Sequence, residues 1–236
     1  MEENNNEIEI NGVKYHVEVI KENNIKELKD VETHKIIIIG TTGVGKTSIS
    51  LRLINQITNK KIETEPTISV DILSFIVKVN EKFIKIQLWD ACGNEEFTRN
   101  TPNLFKNVEL SIVVYAIDNK QSFEDVIIWN NILLSYNPTC LKYLIGNKDD
   151  LKENKREVKI ENGKEIKKNL DFNLFFETSA ESGSNINNLL KNIGVSIYNK
   201  KNNDEEKLLK SSESFKLKNN EGDEIKNNKK KKKKFC

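Results

Sequence analysis

The chain has 236 residues, 36% of them hydrophobic and 31% charged, with a net charge of +2. Residues 1–33 carry nine acids and four lysines, residues 201–236 carry twelve lysines and seven acids, and the apolar runs lie between. This predicts one domain over 34–200, long enough to bury a core, between an acidic N-terminal extension (1–33) and a disordered basic tail (201–236). The absence of any run of 18 apolar residues excludes a transmembrane helix, and the acidic start MEENNNEIEI does not read as a signal peptide. Three cysteines without metal spacing argue for a reducing compartment and against a disulfide framework.

In the extension, Ile8, Ile10, Val13, Tyr15, Val17 and Val19 alternate with polar residues around Asn11-Gly12, a dipeptide suited to a type I′ turn. Both a hairpin over about 7–20 and a disordered arm fit this pattern, since an isolated hairpin is marginal in water and must dock to persist. The stretch 34–39 is a β-branched run with four consecutive isoleucines, ending at Gly40. Helical spacing follows over 47–57, with Leu51, Leu53, Ile54 and Ile57 apolar. Strands are predicted over 70–79 and 83–89, joined at Asn80-Glu81, and buried strands over 110–117 and 141–145. A helix is predicted between those two, over 123–136, with Trp129 as a core anchor. A polar helix over 160–169, a short strand over 172–177 and an apolar-periodic helix over 185–198 complete the domain. The alternation predicts an α/β fold: a six-stranded, mostly parallel sheet with helices on both faces and an antiparallel edge.

Gly40-Thr41-Thr42-Gly43-Val44-Gly45-Lys46-Thr47 fits G-x-x-x-x-G-K-[ST] between a strand and a helix, with Ser48 next at the helix start. Such a loop turns backbone N–H groups toward phosphate oxygens at a helix N-terminus. Lys46 would reach the β- and γ-phosphates and the Thr47 hydroxyl would ligate Mg²⁺. Asn147-Lys148-Asp149 ends a buried strand, and the Asp149 carboxylate is assigned to the N1–H and N2 amine of guanine, a donor pair that adenine lacks. Thr178-Ser179-Ala180 would support the base through backbone N–H groups. Asp90, in Trp89-Asp90-Ala91-Cys92-Gly93, is placed to hold Mg²⁺, and the Gly93 N–H to meet the γ-phosphate. The Thr67 hydroxyl would reach Mg²⁺ only when a γ-phosphate is present, so two loops held by one phosphate make a switch. Cys92, Cys140, His16 and His34 receive no chemical role.

In this order, the P-loop, Thr67, Asp90-x-x-Gly93, Asn147-Lys148-Asp149 and Thr178-Ser179-Ala180 resemble the Ras-superfamily small GTP-binding proteins over about 34–200. Thr67-Ile68-Ser69-Val70-Asp71, Lys85-Ile86-Gln87-Leu88-Trp89-Asp90 and Ser122-Phe123-Glu124-Asp125-Val126 with Trp129 are similar to the Rab family in particular. The resemblance implies an α/β fold of the P-loop NTPase class, a small G-domain, with GTP/GDP and Mg²⁺ as cofactors and a GTPase switch in vesicle trafficking. Its implied partners are exchange factors, GTPase-activating proteins, dissociation inhibitors and effectors. It also implies hydrolysis by in-line attack of water, with Lys46 and Thr67 at the γ-phosphate and the residue after Gly93 orienting the water. That residue is usually Gln; here it is Asn94, one methylene shorter, which predicts slow hydrolysis. Further departures are Lys60 in place of a base-covering aromatic, Ser69 in place of glycine, Glu181 in place of lysine, and Leu104-Phe105 in place of a tyrosine pair.

The tail runs without a break from Lys229 to Lys234 and ends Phe235-Cys236. Each lysine near an anionic leaflet contributes on the order of 1 kcal/mol, and one lipid chain needs such a second signal to anchor stably. The resemblance implies a geranylgeranyl group on Cys236, hence a lipid-anchored protein on the cytoplasmic face of membranes with a soluble cytosolic pool. The rival readings are a slowly or non-hydrolysing guanine-nucleotide-binding interaction module, a P-loop ATPase or nucleotide kinase, and a nucleic-acid binder using the tail. No nucleic acid is expected, because no aromatic platform accompanies the lysines.

Overall fold

A computed structural model describes residues 6–20, 31–58, 67, 69–151 and 155–203. The chain divides into two units, 1–197 and 198–236. The second is described only over 198–203, which are helical; Lys229 to Lys234 and Cys236 lie outside the described residues, as do Lys60, Pro66 and Ile68.

The first unit contains β1 (Glu7–Ile10), β2 (Val13–Ile20), β3 (Thr33–Ile39), α1 (Lys46–Thr58), β4 (Val70–Val79), β5 (Lys82–Ala91) and α2 (Glu95–Arg99). It continues with β6 (Val108–Ala116), α3 (Lys120–Glu124), α4 (Val126–Tyr136), β7 (Leu141–Asn147), α5 (Ile160–Asn169), β8 (Leu174–Glu177) and a last helix, α6, over 186–197. One sheet runs in the order β1-β2-β4-β5-β3-β6-β7-β8. From β5 to β8 all pairs are parallel, while β1, β2, β4 and β5 pair antiparallel.

The sheet therefore has eight strands where six are predicted, because the N-terminal hairpin forms and docks. Asn11 and Gly12 both take positive φ, 52° and 78°, as a type I′ turn requires. Strand β2 then pairs with the far half of β4, from Val17 opposite Val79 to Ile20 opposite Ile76. The His16 N–H donates to Asn80 Oδ1 at 3.0 Å and the Asn80 N–H to the His16 carbonyl at 2.7 Å, which fixes the register at the β4–β5 turn. Val17 is buried, and α6 passes close enough that a Cβ on Gly194 would contact Val77, Val79 and Val17. Docking gives the hairpin the apolar cover it lacks alone.

Ile36 to Ile39 on β3 are fully buried, as befits a central parallel strand covered on both faces. The core on one face gathers Ile37, Ile39, Val113, Tyr115, Trp129 and Leu133. The helix predicted over 123–136 is two segments, α3 and α4, meeting at Asp125. Backbone i→i−4 bonds continue across the junction. At the carboxyl ends of β3, β5, β6 and β7, the loops converge, the place where open α/β sheets bind ligands.

Candidate nucleotide-binding site

The loop between β3 and α1 runs over the sheet's carboxyl edge. Gly40, Gly43 and Gly45 all have positive φ, and a Cβ on Gly45 would meet the Asn147 carboxamide. Thr42 and Gly43 are exposed at the rim, and Val44 is buried beneath. Lys46 turns back over the loop: its ammonium donates to the Gly40 carbonyl at 2.8 Å and the Thr41 carbonyl at 3.2 Å. Thr47 and Ser48, at the helix start, are half-buried.

Thr67 is brought onto this loop from the segment before β4. Its hydroxyl lies 2.6 Å from that of Thr47. Asp90, near the end of β5, is fully buried, and neither carboxylate oxygen has a hydrogen-bond partner. Burial pushes its carboxyl up to about 6; the Thr47 hydroxyl and Lys46 oppose this, and Asp71 adds to it. Burial likewise pushes Lys46 down to about 8, against the attraction of Asp90 and Cys92. Gly93 passes so near Thr42 that any Cβ would collide with the Thr42 backbone N. The loop after β5 is thereby pressed onto the P-loop.

Asn94 then takes an extended conformation (φ −93°, ψ 114°), and its Oδ1 accepts the Phe97 N–H at 2.8 Å. The side chain is the N-cap of α2. Glu95 and Glu96 follow in the first turn, where the helix dipole favours acids.

On the other side, Asn147 is buried and joins three segments. Its Nδ2 donates to the Val44 carbonyl at 2.9 Å, while its Oδ1 accepts from the Thr178 hydroxyl and the Ala180 N–H, each at 3.2 Å. Lys148, with φ 71°, pairs with Asp118 at 3.2 Å. The geometry gives Asp149 a partner other than the base expected of it. Asp149 is turned to Arg156, 3.2 Å away, and Arg156 also holds Glu177 at 2.7 Å. It is the exposed Asp150 that accepts the Ser179 hydroxyl, at 2.5 Å, beside Ala180. The sequence signal for this is the spacing Asn-Lys-x-Asp, which selects Asp150 and skips Asp149.

Residues 35–199 match the sequence model of the Ras family. The chain is also 35% identical over 166 residues to the Ras-related protein RABC2b of Arabidopsis thaliana, covering 69% of this chain and 78% of that relative. The chain belongs to the Rab family of Ras-superfamily small GTPases. Proteins of the Ras family bind GTP or GDP with Mg²⁺ and act as GTPases.

The residues of this Rab-family chain fit those groups. A buried carboxylate without a partner is costly unless a cation meets it, and Asp90 lies near the Thr47 hydroxyl, itself 2.6 Å from that of Thr67, oxygens that suit a hard oxygen-liganded cation. Lys46, anchored by two carbonyls, presents the positive charge that a triphosphate requires. His34, to which no role is assigned, is buried against Glu109 at 2.9 Å near the start of β3, at the end of that strand opposite the P-loop. Cys92 and Cys140 are buried, and the Cys140 thiol donates to the Leu141 carbonyl at 3.2 Å. Among the described residues no helix is long and apolar enough to cross a membrane.

Proposed function

We propose that this Rab-family GTPase is a GTP/GDP-dependent switch in vesicle trafficking, anchored to the cytoplasmic face of membranes. The anchor is a geranylgeranyl group on Cys236 assisted by Lys229 to Lys234, with a soluble pool maintained by a dissociation inhibitor. The observation that carries the switch is the Thr47–Thr67 hydroxyl pair beside the unpartnered Asp90. It brings Thr67 to the same spot as the P-loop and the end of β5.

In this reading Gly40, Thr42, Gly43, Val44, Gly45, Lys46, Thr47 and Ser48 hold the phosphates, and Thr47, Thr67 and Asp90 hold Mg²⁺. When bound, Mg²⁺ neutralises charge on the phosphate oxygens. Lys46 stabilises the γ-phosphate, and the Gly93 N–H holds the loop after β5 to it. Asn147 braces the P-loop against the base-binding loops, Lys148 flanks the base, and Ser179 and Ala180 support it. Asp150, in place of Asp149, selects guanine. Hydrolysis is slow because the Asn94 carboxamide is engaged by the Phe97 N–H and does not orient water. An exchange factor and a GTPase-activating protein set the state, and effectors read it.

Two measurements test this. Competition of GTP against ATP for the purified full chain checks the base assignment, and equal affinity refutes it. Sedimentation of geranylgeranylated protein with phosphatidylserine vesicles checks the anchor. Equal lipid transfer to Cys236→Ser in the same prenylation reaction, read by mass spectrometry, refutes lipid attachment there, since the lysine run alone can hold the chain to anionic vesicles.

A further inference from the structure

One polar cluster reaches the P-loop from the side, away from the phosphate-facing groups. The Thr41 hydroxyl donates to Asp125 Oδ2 at 2.9 Å and accepts the Trp129 indole N–H at 3.1 Å. The other Asp125 oxygen accepts from Gln121 Nε2 at 2.9 Å. Trp129 is fully buried and Asp125 is 8% exposed. Both lie more than 80 residues from Thr41 in sequence, so the cluster is made by the fold.

Two features mark the cluster as more than core packing. Asp125 sits where α3 meets α4, in helical conformation (φ −68°, ψ −14°) with backbone bonds running through it, so its carboxylate has no capping duty and both oxygens are given to side chains, one of them Thr41. The hydroxyl is also matched on both sides, its proton given to a carboxylate and its lone pair to an indole N–H that needs a buried partner. The same residue's carbonyl receives the Lys46 ammonium. Fixing the Thr41 side chain from α4 therefore fixes the orientation of the peptide group that steers Lys46.

We propose that Trp129 and Asp125 are positioning residues for the P-loop: acting through the Thr41 hydroxyl, they hold the first turn of the loop and Lys46 in the geometry that retains a nucleoside diphosphate. The inference rests on the guanine-nucleotide reading above. It gives Trp129 a role beyond anchoring its helix.

The test is the release rate of fluorescently labelled GDP from the full chain, in excess unlabelled GDP with Mg²⁺, for the parent, Trp129→Phe, Thr41→Val, the double variant and Thr41→Ser. Loss of one hydrogen bond predicts about fivefold faster release for Trp129→Phe. Thr41→Val, which loses both bonds at nearly constant volume, releases faster still. Adding Trp129→Phe to Thr41→Val changes the rate less than about twofold, as expected of residues acting through one hydroxyl. Thr41→Ser, which keeps the hydroxyl, restores slow release. Thermal midpoints measured alongside report the packing loss from the smaller ring, which appears equally in both backgrounds. Release by Thr41→Val at the parent rate overturns the inference, and so does an equal acceleration by Trp129→Phe in both backgrounds. Thr41→Val and Thr41→Ser decide the matter even if the tryptophan variant does not fold. A parent that cannot retain GDP overturns the guanine-nucleotide reading together with this inference, whereas parent-like release by the variants overturns this inference alone.

Discussion

Replacing Asn94 separates two roles that one residue holds at the start of α2. Its Oδ1 accepts the Phe97 N–H at 2.8 Å, in the extended conformation of an N-cap. Such a cap stabilises by about 1 kcal/mol, so the carboxamide is free of it in roughly one molecule in six at 25 °C. A side chain held this way contributes little to orienting water. Asn94→Ser keeps a good cap and removes the carboxamide, and its single-turnover GTP hydrolysis stays within about twofold of the parent. Asn94→Gln gives up the cap and supplies a longer carboxamide. Release from the cap alone raises availability about sixfold, and the added reach acts in the same direction, so hydrolysis accelerates by about sixfold or more. Amide hydrogen exchange at Phe97 should quicken in the Gln variant and remain slow in the Ser variant. The assay uses protein preloaded with GTP and Mg²⁺, following phosphate release. A large loss of hydrolysis in Asn94→Ser, or a Gln variant no faster than the parent while Phe97 exchange has quickened, refutes the argument that the cap withholds the side chain from catalysis.

Three further outcomes follow from the site and the hairpin. Asp150→Asn should lower the preference for GTP over ATP by at least about a hundredfold in competition binding, while Asp149→Asn leaves selectivity unchanged and lowers stability by no more than about 1 kcal/mol, the worth of its part-exposed pair with Arg156. Asp90→Asn removes a buried carboxylate that lacks a partner. In EDTA without nucleotide it should match or exceed the parent's thermal midpoint, whereas with GDP and Mg²⁺ it should lose most of the parent's ligand-induced rise, both read by differential scanning fluorimetry. Val17→Ala truncates a buried side chain where β2 meets β4 and α6, and should lower denaturant stability by about 1–2 kcal/mol with little change in GTP affinity.

The sequence by itself determined the elements whose signals are local. The isoleucine run of β3, the glycine-rich loop and the Lys46-Thr47 start of α1 need no distant partner to be recognised, because backbone torsion and burial are written in neighbouring residues. The order of Thr67, Asp90, Gly93 and Asn147 likewise pointed to one candidate site, and the fold brings Thr67, Gly93 and Asn147 onto the P-loop. What only the tertiary structure decided depends on partners far along the chain. The N-terminal hairpin has the right alternation and turn, but whether it persists depends on an edge to dock against, which β4 supplies nearly 60 residues away. Asp149 and Asp150 are adjacent and chemically identical, and Arg156 and Ser179 sort them in space. Asn94 looks like a shortened glutamine in sequence, whereas the extended backbone at its position makes it a cap. Trp129 has the periodicity of a core residue; that its one polar atom meets the P-loop follows from the sheet bringing residues 88 apart into contact. Hydrogen-bond partners of buried polar groups are properties of the fold, and they are the part of this protein that composition and spacing leave open.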